Sequence, residues 1–226
     1  LLNATTARLV ARLLGVIQAS SESVLIVGAN NFAMTIAKYL QDQKRSVTLI
    51  DSNPNNIRRA RAKGLKGLVA NVFTDDLSDE YELLDVGYML ALTSSNEVNA
   101  YALKEYGGIF GELGGYRLIT SDEVKKRQEI QGEDIFSYTD DFLDISEAHR
   151  ESATIHEKPL RSLRQFKDIM AVISAEKYIV PLFLKHPDGK IHVVPPNPAT
   201  LEGVNSGGYT LVYLGEDLAG VYAEEQ

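Results

Sequence analysis

The sequence predicts an α/β fold, a parallel sheet with helices on both faces, followed by a small β-rich domain. In the first half of the chain, apolar β-branched runs alternate with stretches of helical periodicity, which is typical of right-handed βαβ units. Beyond residue 120 this alternation ends, and from residue 166 short apolar runs are separated by turn residues instead. The charge also changes there: residues 1–120 hold 12 basic and 12 acidic residues, and residues 121–226 hold 11 and 19.

The first half contains five apolar runs that predict strands. The first, Val24 to Val27, is wholly apolar and ends at Gly28, as expected of a buried parallel strand. The other four predicted strands are 46–50, 67–70, 87–92 and 116–119.

Three helices are predicted between these strands. Phe32, Ile36 and Leu40 form the apolar stripe of the first helix. The second helix, 55–63, follows Pro54 and ends before Gly64. The third runs to about residue 106, and the pair Ser94 and Glu97 predicts a capping box at its start.

In the second half the predicted elements are short. Residues 123–165 are polar and acidic and indicate a connector, with one strand near 135–136. Further strands are predicted at 169–174, 178–185, 190–194 and 209–214, with a tight turn at His186 to Gly189. Because no helix long enough to cover a sheet is evident, this domain is expected to close as a barrel or sandwich or to pack on a partner.

Four segments follow from these patterns. They are 1–20, an amphipathic segment; 21–122, the α/β domain; 123–165, the acidic connector; and 166–226, the β-rich domain. In the first segment, Arg8 and Arg12 lie one turn apart and away from the apolar positions. This segment is either a helix that covers the α/β domain or the cytoplasmic end of a preceding membrane helix.

Composition excludes several classes of protein. The net charge of −8 and a pI near 5.1 argue against sequence-independent binding of nucleic acid, which needs a basic face. The chain contains no cysteine, so disulfide scaffolds, thiolate zinc sites and cysteine nucleophiles are excluded. No apolar run reaches the roughly 18–20 residues of a membrane span.

The turn after the first strand predicts a nucleotide site. Dinucleotide-binding Rossmann folds carry Gly-x-Gly-x-x-Gly there, at the start of a helix. This chain has Gly28, Ala29, Asn30, Asn31, Phe32 and Ala33 in that order. Ala33 is an accepted replacement for the third glycine, whereas a side chain at Asn30 obstructs the approach of a pyrophosphate. A single phosphate or a smaller ligand remains compatible with this helix N-terminus.

Further candidates end the neighbouring strands. Asp51 ends the second strand at the position of a ribose-binding acid, although it and Asn53 could instead cap the next helix. Ser52 lies between them. Because the carboxyl ends of parallel strands meet at one sheet edge, Asn71, Thr93 and Ser94 are expected at the same edge, as ligands or as loop residues and caps.

Motifs for enzyme catalysis are missing, so the chain is predicted not to be an enzyme. No tyrosine has a lysine four residues later, and neither a Gly-x-Ser-x-Gly elbow nor a Walker A loop occurs. The four histidines form no His-Glu-x-x-His motif and are interpreted as surface residues, so no metal site is predicted; they are His149, His156, His186 and His192.

A family resemblance rests on four pieces of sequence: VLIVGANNFAMTIAKYL, SVTLIDSNPNNIRRARAKGL, LVAN and LALTSSNEVNAYAL. With them, residues 24–120 resemble the TrkA-N family, the N-terminal halves of RCK domains that regulate the transport of potassium and other ions. The variant fused to bacterial sodium/proton antiporters of the NhaP-like family is the more similar one. The opening segment resembles the exit from the last membrane helix of those antiporters, and the segment around 179–183 resembles their C-terminal tail.

The resemblance implies a cytoplasmic regulatory module on the inner face of the plasma membrane, joined to a membrane antiporter domain of the same chain. Such modules form homodimers and bind a nucleotide in the cleft, here AMP, ADP, ATP or NAD(H), or no ligand at all. Gly28, Asn30 and Phe32 correspond to the phosphate loop, Asp51 to the ribose acid, and Asn71 and Thr93 to later strand ends. Two alternatives stay open: an NAD(P)-dependent oxidoreductase, and an interaction module with a vestigial nucleotide cleft.

Overall fold

A computed structural model describes residues 22–80, 83, 85–125, 135–195 and 208–218. The predicted segment 1–20 lies outside these residues. The chain divides into two compact units, Leu1–Leu118 and Ile119–Gln226. Within the described residues, none of the helices has the length and apolar character needed to cross a lipid bilayer.

The first unit is the predicted α/β fold. Its strands are β1 (Ser23–Val27), β2 (Val47–Asp51), β3 (Lys66–Val69), β4 (Val86–Ala91) and β5 (Gly114–Arg117). The helices are α1 (Asn31–Asp42), α2 (Pro54–Ala62) and α3 (Asn96–Phe110), with a short 3₁₀ turn at Leu77–Asp79. All pairings are parallel in the order β3-β2-β1-β4-β5, so the Rossmann-like prediction is confirmed.

Burial explains why these strands could be predicted from the sequence. Every residue of β1 is buried, as expected of a central parallel strand with both faces covered. Helix α3 buries Ala102, Tyr106 and Phe110 in one cluster with Leu25 and Met89 of the sheet. The predicted stripe of α1, Phe32, Ile36 and Leu40, is also buried.

The second unit has an antiparallel sheet with helices. Its elements are α4 (Ser121–Lys125), α5 (Phe142–Glu151), β6 (Ile155–Pro159), α6 (Leu163–Ile173), β7 (Ile179–Lys185), β8 (Ile191–Val193) and β9 (Thr210–Gly215). The strand order is β6-β9-β7-β8. The predicted strands at 178–185, 190–194 and 209–214 correspond to β7, β8 and β9, and residues 126–134 and 196–207 are outside the described part.

Two predictions for the second unit are wrong. Residues 169–174, predicted as a strand, lie in and just after helix α6, which buries Phe166, Ile169 and Ile173 at helical spacing against the sheet. The unit therefore does have a helix that covers its sheet. The apolar run from Ile169 to Ile173 is ambiguous alone, but Ser162 begins the helix by accepting the Gln165 N–H at 3.2 Å.

The predicted connector also contains regular structure. Asp141 starts the ten-residue helix α5 with a capping box that involves Asp144. After this helix, β6 pairs antiparallel with β9, with Ile155 opposite Leu214. Residues 142–159 thus form part of the second unit's fold, because a strand late in the chain supplies the partner that the local sequence does not indicate.

Candidate functional site

The loops that follow β1, β2 and β4 lie side by side at the carboxyl edge of the first unit's sheet, since these strands are neighbours and parallel. The direction in which successive strands are added to the sheet reverses at β1: β2 and β3 lie on one side of it, and β4 and β5 lie on the other. Ligands of open α/β sheets bind in the crevice at such a switch point. The side chains that surround this point are therefore the candidates for a binding site.

Gly28 immediately follows β1, in a backbone conformation that other residues adopt only with strain. Its φ is +102°, and its N–H donates to the Ile50 carbonyl at 2.8 Å. A Cβ at this position would lie 3.0 Å from Thr93 Cγ2 and 3.3 Å from the Leu92 carbonyl oxygen. The first glycine of the motif is thus needed both for its backbone angle and for the close approach of the β4 loop.

Asn30, which replaces the second glycine of the motif, is the N-cap of α1. Its Oδ1 accepts the Ala33 N–H at 2.9 Å, and its Nδ2 donates to the Leu92 carbonyl at 2.7 Å. Leu92 immediately follows β4, and its own N–H donates to the Val27 carbonyl at 2.8 Å. The Asn30 side chain therefore bridges the start of α1 and the end of β4.

The other residues of this loop divide into buried and exposed ones. Ala29, Phe32 and Ala33 are buried, and the full burial of Ala33 agrees with the close helix packing that the third position of the motif requires. Asn31 is exposed, and its Oδ1 accepts from Arg59 Nη2 of α2 at 2.8 Å. A guanidinium thus lies beside the N-terminus of α1, where the helix dipole already favours an anion.

Asp51 holds the β1 and β2 loops together. Its Oδ2 accepts the Ala29 N–H at 2.8 Å and Asn56 Nδ2 at 3.0 Å, and its Oδ1 accepts the Asn53 N–H at 2.8 Å. A carboxylate oxygen offers about two acceptor positions, so Oδ1 keeps one for a further donor such as a ribose hydroxyl. The cap of α2 is Asn53, whose Oδ1 accepts the Asn55 N–H at 2.9 Å. Ser52, between the two, is exposed.

Asn71 takes part in a local turn after β3. Its Oδ1 accepts the Phe73 N–H at 3.0 Å, and its own N–H donates to Asp75 Oδ2 at 2.9 Å. That backbone hydrogen bond, with one from the Thr74 hydroxyl, lowers the pKa of Asp75. β3 is separated from β1 by β2, so the side chain of Asn71 serves its own loop, away from the β1–β4 switch point.

Thr93 is held by Asn99, a residue that the sequence reading did not select. Asn99 Oδ1 accepts from the Thr93 N–H at 2.9 Å and from its Oγ1 at 2.7 Å, and Asn99 Nδ2 donates to the Thr93 carbonyl at 2.9 Å. Asn99 is only 2% exposed. Its helical spacing with Ala102 and Tyr106, which are buried on the same helix, was the available signal, because a buried amide needs hydrogen-bond partners.

The cap of α3 differs by one residue from the prediction. Ser95, not Ser94, is the N-cap, and its Oγ accepts the Val98 N–H at 3.3 Å. Ser94 is exposed in the loop. The prediction of a Ser94–Glu97 box was wrong because Thr93 already accepts the Ser95 N–H at 3.2 Å, which extends the turn by one residue before the helix begins.

Asp51 and Arg59 supply charged groups at this edge, and the polar side chains of Asn30 and Asn99 hold backbone groups in place. Over the described residues, no group of three histidine, aspartate or glutamate side chains is placed to hold a metal ion. Two of the histidines have described partners in the second unit. The ring of His156 stacks on that of Tyr213 with 5.2 Å between the ring centroids, and His186 Nδ1 lies 2.7 Å from Asp188 Oδ1.

A second polar cluster precedes α5 in the other unit. The carboxylate of Asp140 accepts from the Ser137 hydroxyl at 3.3 Å and from the Thr139 hydroxyl. Burial raises the pKa of Asp140 to about 6, and the neighbouring carboxylates of Asp144 and Asp141 push it in the same direction. Asp140 is therefore the described carboxylate whose charge is most sensitive to mildly acidic pH.

Comparison with known proteins gives one family match. Residues 24–113, which are 90 of the 226 residues, match the model of the TrkA-N domain. No curated protein matches the chain.

Solved structures similar to this chain have low identity. The NAD(P)-binding domain of an exopolyphosphatase-related protein from Archaeoglobus fulgidus is 17% identical with a TM-score of 0.42, over 50% of this chain and 85% of that one. A xanthine dehydrogenase from Bacillus halodurans is 14% identical with a TM-score of 0.35, over 51% and 34%. The GsuK RCK domain is 12% identical with a TM-score of 0.32, over 92% of this chain and 47% of that one. The family match spans the strands from β1 to β4 and the loops that follow β1, β2 and β4, and these residues are similar to the TrkA-N domain, while β5 lies beyond the match.

Proposed function

We propose that this chain is the nucleotide-sensing regulatory part of a sodium/proton antiporter. The observation that supports it best is the position of the polar residues within the TrkA-N match. Gly28, Asn30, Asp51 and Thr93 all lie within residues 24–113 and gather where the strand order reverses. A nucleotide bound there contacts loops from three strands at once, so it can stabilise one arrangement of them.

The mechanism is a shift of population between two conformations. A ligand changes the equilibrium only if it binds one arrangement more tightly than the other. The difference in binding free energy is then available to the attached transporter, and couplings of about 1–3 kcal/mol are typical. In this mechanism the domain binds and signals, and the membrane part carries the ions.

The chemistry of the edge supports binding more than turnover. The side chains of Asn30, Thr93 and Asn99 hydrogen-bond to backbone groups of the loops. Asp51 likewise accepts from two backbone N–H groups. Proton transfer in an oxidoreductase would need a titratable donor beside the substrate, and we assign no such role to these residues.

The proposed context is a membrane antiporter domain in the same polypeptide, with two copies of the regulatory part forming a homodimer at the cytoplasmic face of the inner membrane. The similarity of the opening segment to the end of an antiporter's last membrane helix supports it. If the complete gene product had no membrane helices before this chain, the antiporter context would be wrong.

Thermal unfolding with AMP, ADP, ATP, NAD+ and NADH tests nucleotide binding. A specific ligand at about 100 times its Kd stabilises the fold by roughly 2.7 kcal/mol. Asp51→Asn removes the charge and one acceptor oxygen, so it should reduce the increase in unfolding temperature that the nucleotide produces. Asp42→Asn, on the exposed end of α1, is the matched control and should keep it. The absence of a shift with every nucleotide would contradict the proposal.

A second candidate, an interaction module with a vestigial cleft, has one observation in its favour. Asn30 Oδ1 already accepts the Ala33 N–H that a phosphate oxygen would otherwise use. This candidate predicts dimers in light scattering together with no thermal shift for any nucleotide. Nucleotide-dependent stabilisation that Asp51→Asn weakens would exclude it.

A further inference from the structure

Asn30 occupies the path that a dinucleotide takes across the sheet. A dinucleotide lies over the switch point, with one nucleoside on each side and its pyrophosphate at the N-terminus of the first helix. The hydrogen bond from Asn30 Nδ2 to the Leu92 carbonyl, 2.7 Å long, runs from the α1 side to the β4 side of that point. A pyrophosphate at this position meets the amide side chain instead of a bare glycine backbone.

The same side chain also uses a donor that the phosphate would need. The Ala33 N–H, in the first turn of α1, donates to Asn30 Oδ1 at 2.9 Å. A pyrophosphate must therefore displace the amide, break both of its hydrogen bonds and leave the Leu92 carbonyl without this donor. Removing one partner of a buried or partly buried hydrogen bond is more costly than its net strength suggests.

The β2 side of the crevice is not closed in this way. Asp51 Oδ1 has one hydrogen bond, from the Asn53 N–H, and keeps an acceptor position for a ribose hydroxyl. Ser52 is exposed beside it. The Arg59 guanidinium lies 2.8 Å from Asn31 Oδ1, near the positive end of α1, and its planar fork suits a phosphate.

We propose that Asn30 is a specificity-determining residue, which restricts the cleft to nucleoside monophosphates on the β2 side and rejects dinucleotides. This rests on the nucleotide-sensing role proposed above. In the complex, the ribose hydroxyls donate to Asp51 and the single phosphate lies between Arg59 and the start of α1. The Asn30 bridge to Leu92 stays intact.

The test measures the affinities of AMP and NAD+ for the full 226-residue chain by calorimetric titration. The wild type should bind AMP at least about tenfold more tightly than NAD+, a ratio that one broken hydrogen bond would produce. Asn30→Gly restores the glycine of the motif and should raise the affinity for NAD+ by at least about tenfold. A glycine N-cap also keeps most of the stability of α1.

Two further variants make the result interpretable. Asn30→Ser keeps a hydroxyl for the Ala33 N–H and lacks the amide that reaches Leu92, so a smaller gain in NAD+ affinity is expected even if Asn30→Gly does not fold. Ser162→Gly changes the N-cap of α6 in the second unit and should leave both affinities unchanged.

The outcomes separate the two proposals. Equal affinity of the wild type for AMP and NAD+, or no gain for NAD+ in Asn30→Gly and Asn30→Ser, overturns the role of Asn30 while the nucleotide-sensing proposal stands. Binding of NAD+ by Asn30→Gly together with no nucleotide binding by the wild type supports the rejection of dinucleotides by Asn30, but it overturns both the monophosphate site and nucleotide sensing. No binding by any of these proteins overturns both.

Discussion

In the first unit, β1 is central and pairs with β2 and β4 in a parallel sheet. In the second unit β9, the last strand of the described residues, is central and pairs with β6 and β7. Both sheets contain pairings between distant segments, since Val24 lies opposite Tyr88 in the first unit and Ile155 lies opposite Leu214 in the second. The units differ in what the local sequence indicates: alternating strands and helices predict a parallel sheet in the first, whereas the short elements of the second do not indicate which strand pairs with β6.

The polar side chains of the two units also differ in the groups to which they hydrogen-bond. At the edge of the first unit, amides and one carboxylate hold backbone groups of adjacent loops, as Asn30 and Asp51 do. Before α5 in the second unit, Asp140 accepts from hydroxyls of its own loop, and the carboxylates of Asp144 and Asp141 help to raise its pKa. The first arrangement fixes geometry, whereas the second is sensitive to pH.

Gly215→Ala should have the largest effect on stability. Gly215 has φ +116°, and a Cβ there would lie 1.8 Å from the Tyr178 carbonyl oxygen, so β9 and the start of β7 would have to separate. We expect a loss of about 4 kcal/mol or more in the free energy of unfolding of the second unit, measured by hydrogen exchange in β7 and β9.

The matched control for Gly215→Ala is Gly189→Ala. Gly189 has φ +91° but no atom within 4 Å of the added Cβ, so only the backbone strain remains and the loss should be about 1 kcal/mol. Similar losses for both variants would show that the close backbone contact in the second sheet contributes little.

Asn99→Leu tests the first unit in the same way. The leucine has as many side-chain heavy atoms as asparagine but leaves the partly buried N–H and carbonyl of Thr93 without the partners that Asn99 supplies. Leaving these two groups unsatisfied predicts a loss of about 2–4 kcal/mol in denaturant unfolding. Asn55→Leu, at an exposed position of α2, should change stability by less than about 0.5 kcal/mol. An equal loss at both sites would mean that the Thr93 network is not a main support of the edge.

Asp140→Asn tests the pH sensitivity of the second unit. The pKa of Asp140 in the fold is about 6, above its ordinary value of 3.8, so folding favours the protonated form. Its stabilising contribution is complete below about pH 4 and is lost as the pH rises through 6. The asparagine in this variant is neutral at all pH values, and its amide oxygen can still accept from Ser137 and Thr139.

We therefore expect Asp140→Asn to be more stable than the wild type by on the order of 1–2 kcal/mol at pH 7.5, and to have little advantage at pH 4. Urea unfolding at both pH values measures the difference. Asp168→Asn, at an exposed position of α6, should follow the wild-type pH profile. If the difference in the free energy of unfolding between Asp140→Asn and the wild type stays constant from pH 4 to 7.5, Asp140 does not titrate in this range.

Two ion pairs give the smallest expected effect. Lys185 Nζ lies 2.6 Å from Glu157 Oε1, and the two side chains, from β7 and β6, are 21% and 35% exposed. Lys38 and Asp42 form an i,i+4 pair on α1 with side chains more than half exposed. Double-mutant cycles should give coupling energies of about 0.5–1 kcal/mol for the first pair and about 0.3 kcal/mol for the second. A larger coupling energy for Lys38 and Asp42 than for Lys185 and Glu157 would contradict this prediction.

Sequence reasoning predicted the first unit because each of its strands and helices carries its own local pattern. The apolar run before Gly28 and the stripe of Phe32, Ile36 and Leu40 are fully buried in the structure. The same reasoning failed at 169–173, where an apolar run that suits a strand forms a helix. Length and capping decided the outcome there, because the buried stripe already begins at Phe166 and Ser162 caps the helix before it.

For the candidate site, the sequence predicted which residues lie at the strand ends but not their hydrogen-bond partners. Gly28, Asn30 and Asp51 were selected from their positions at strand ends, and the structure places all three at the switch point. That Asn30 reaches Leu92 and that Asp51 accepts the Ala29 N–H could not be read from the chain. Asn99 was missed because it lies on a helix, six residues from the Thr93 whose backbone it holds.

The sequence by itself determined three features of the first unit. These are the parallel sheet, the order of its strands and helices along the chain, and the presence of Asn30 in place of the second glycine of the motif. These follow from periodicity and local backbone chemistry, which act within one element. Only the tertiary structure decided that the Asn30 amide bridges two loops, that Asn71 serves its own turn, and that β9 completes the second sheet with β6. Those features depend on which distant groups satisfy each hydrogen bond, because every buried polar group needs a partner that folding alone supplies.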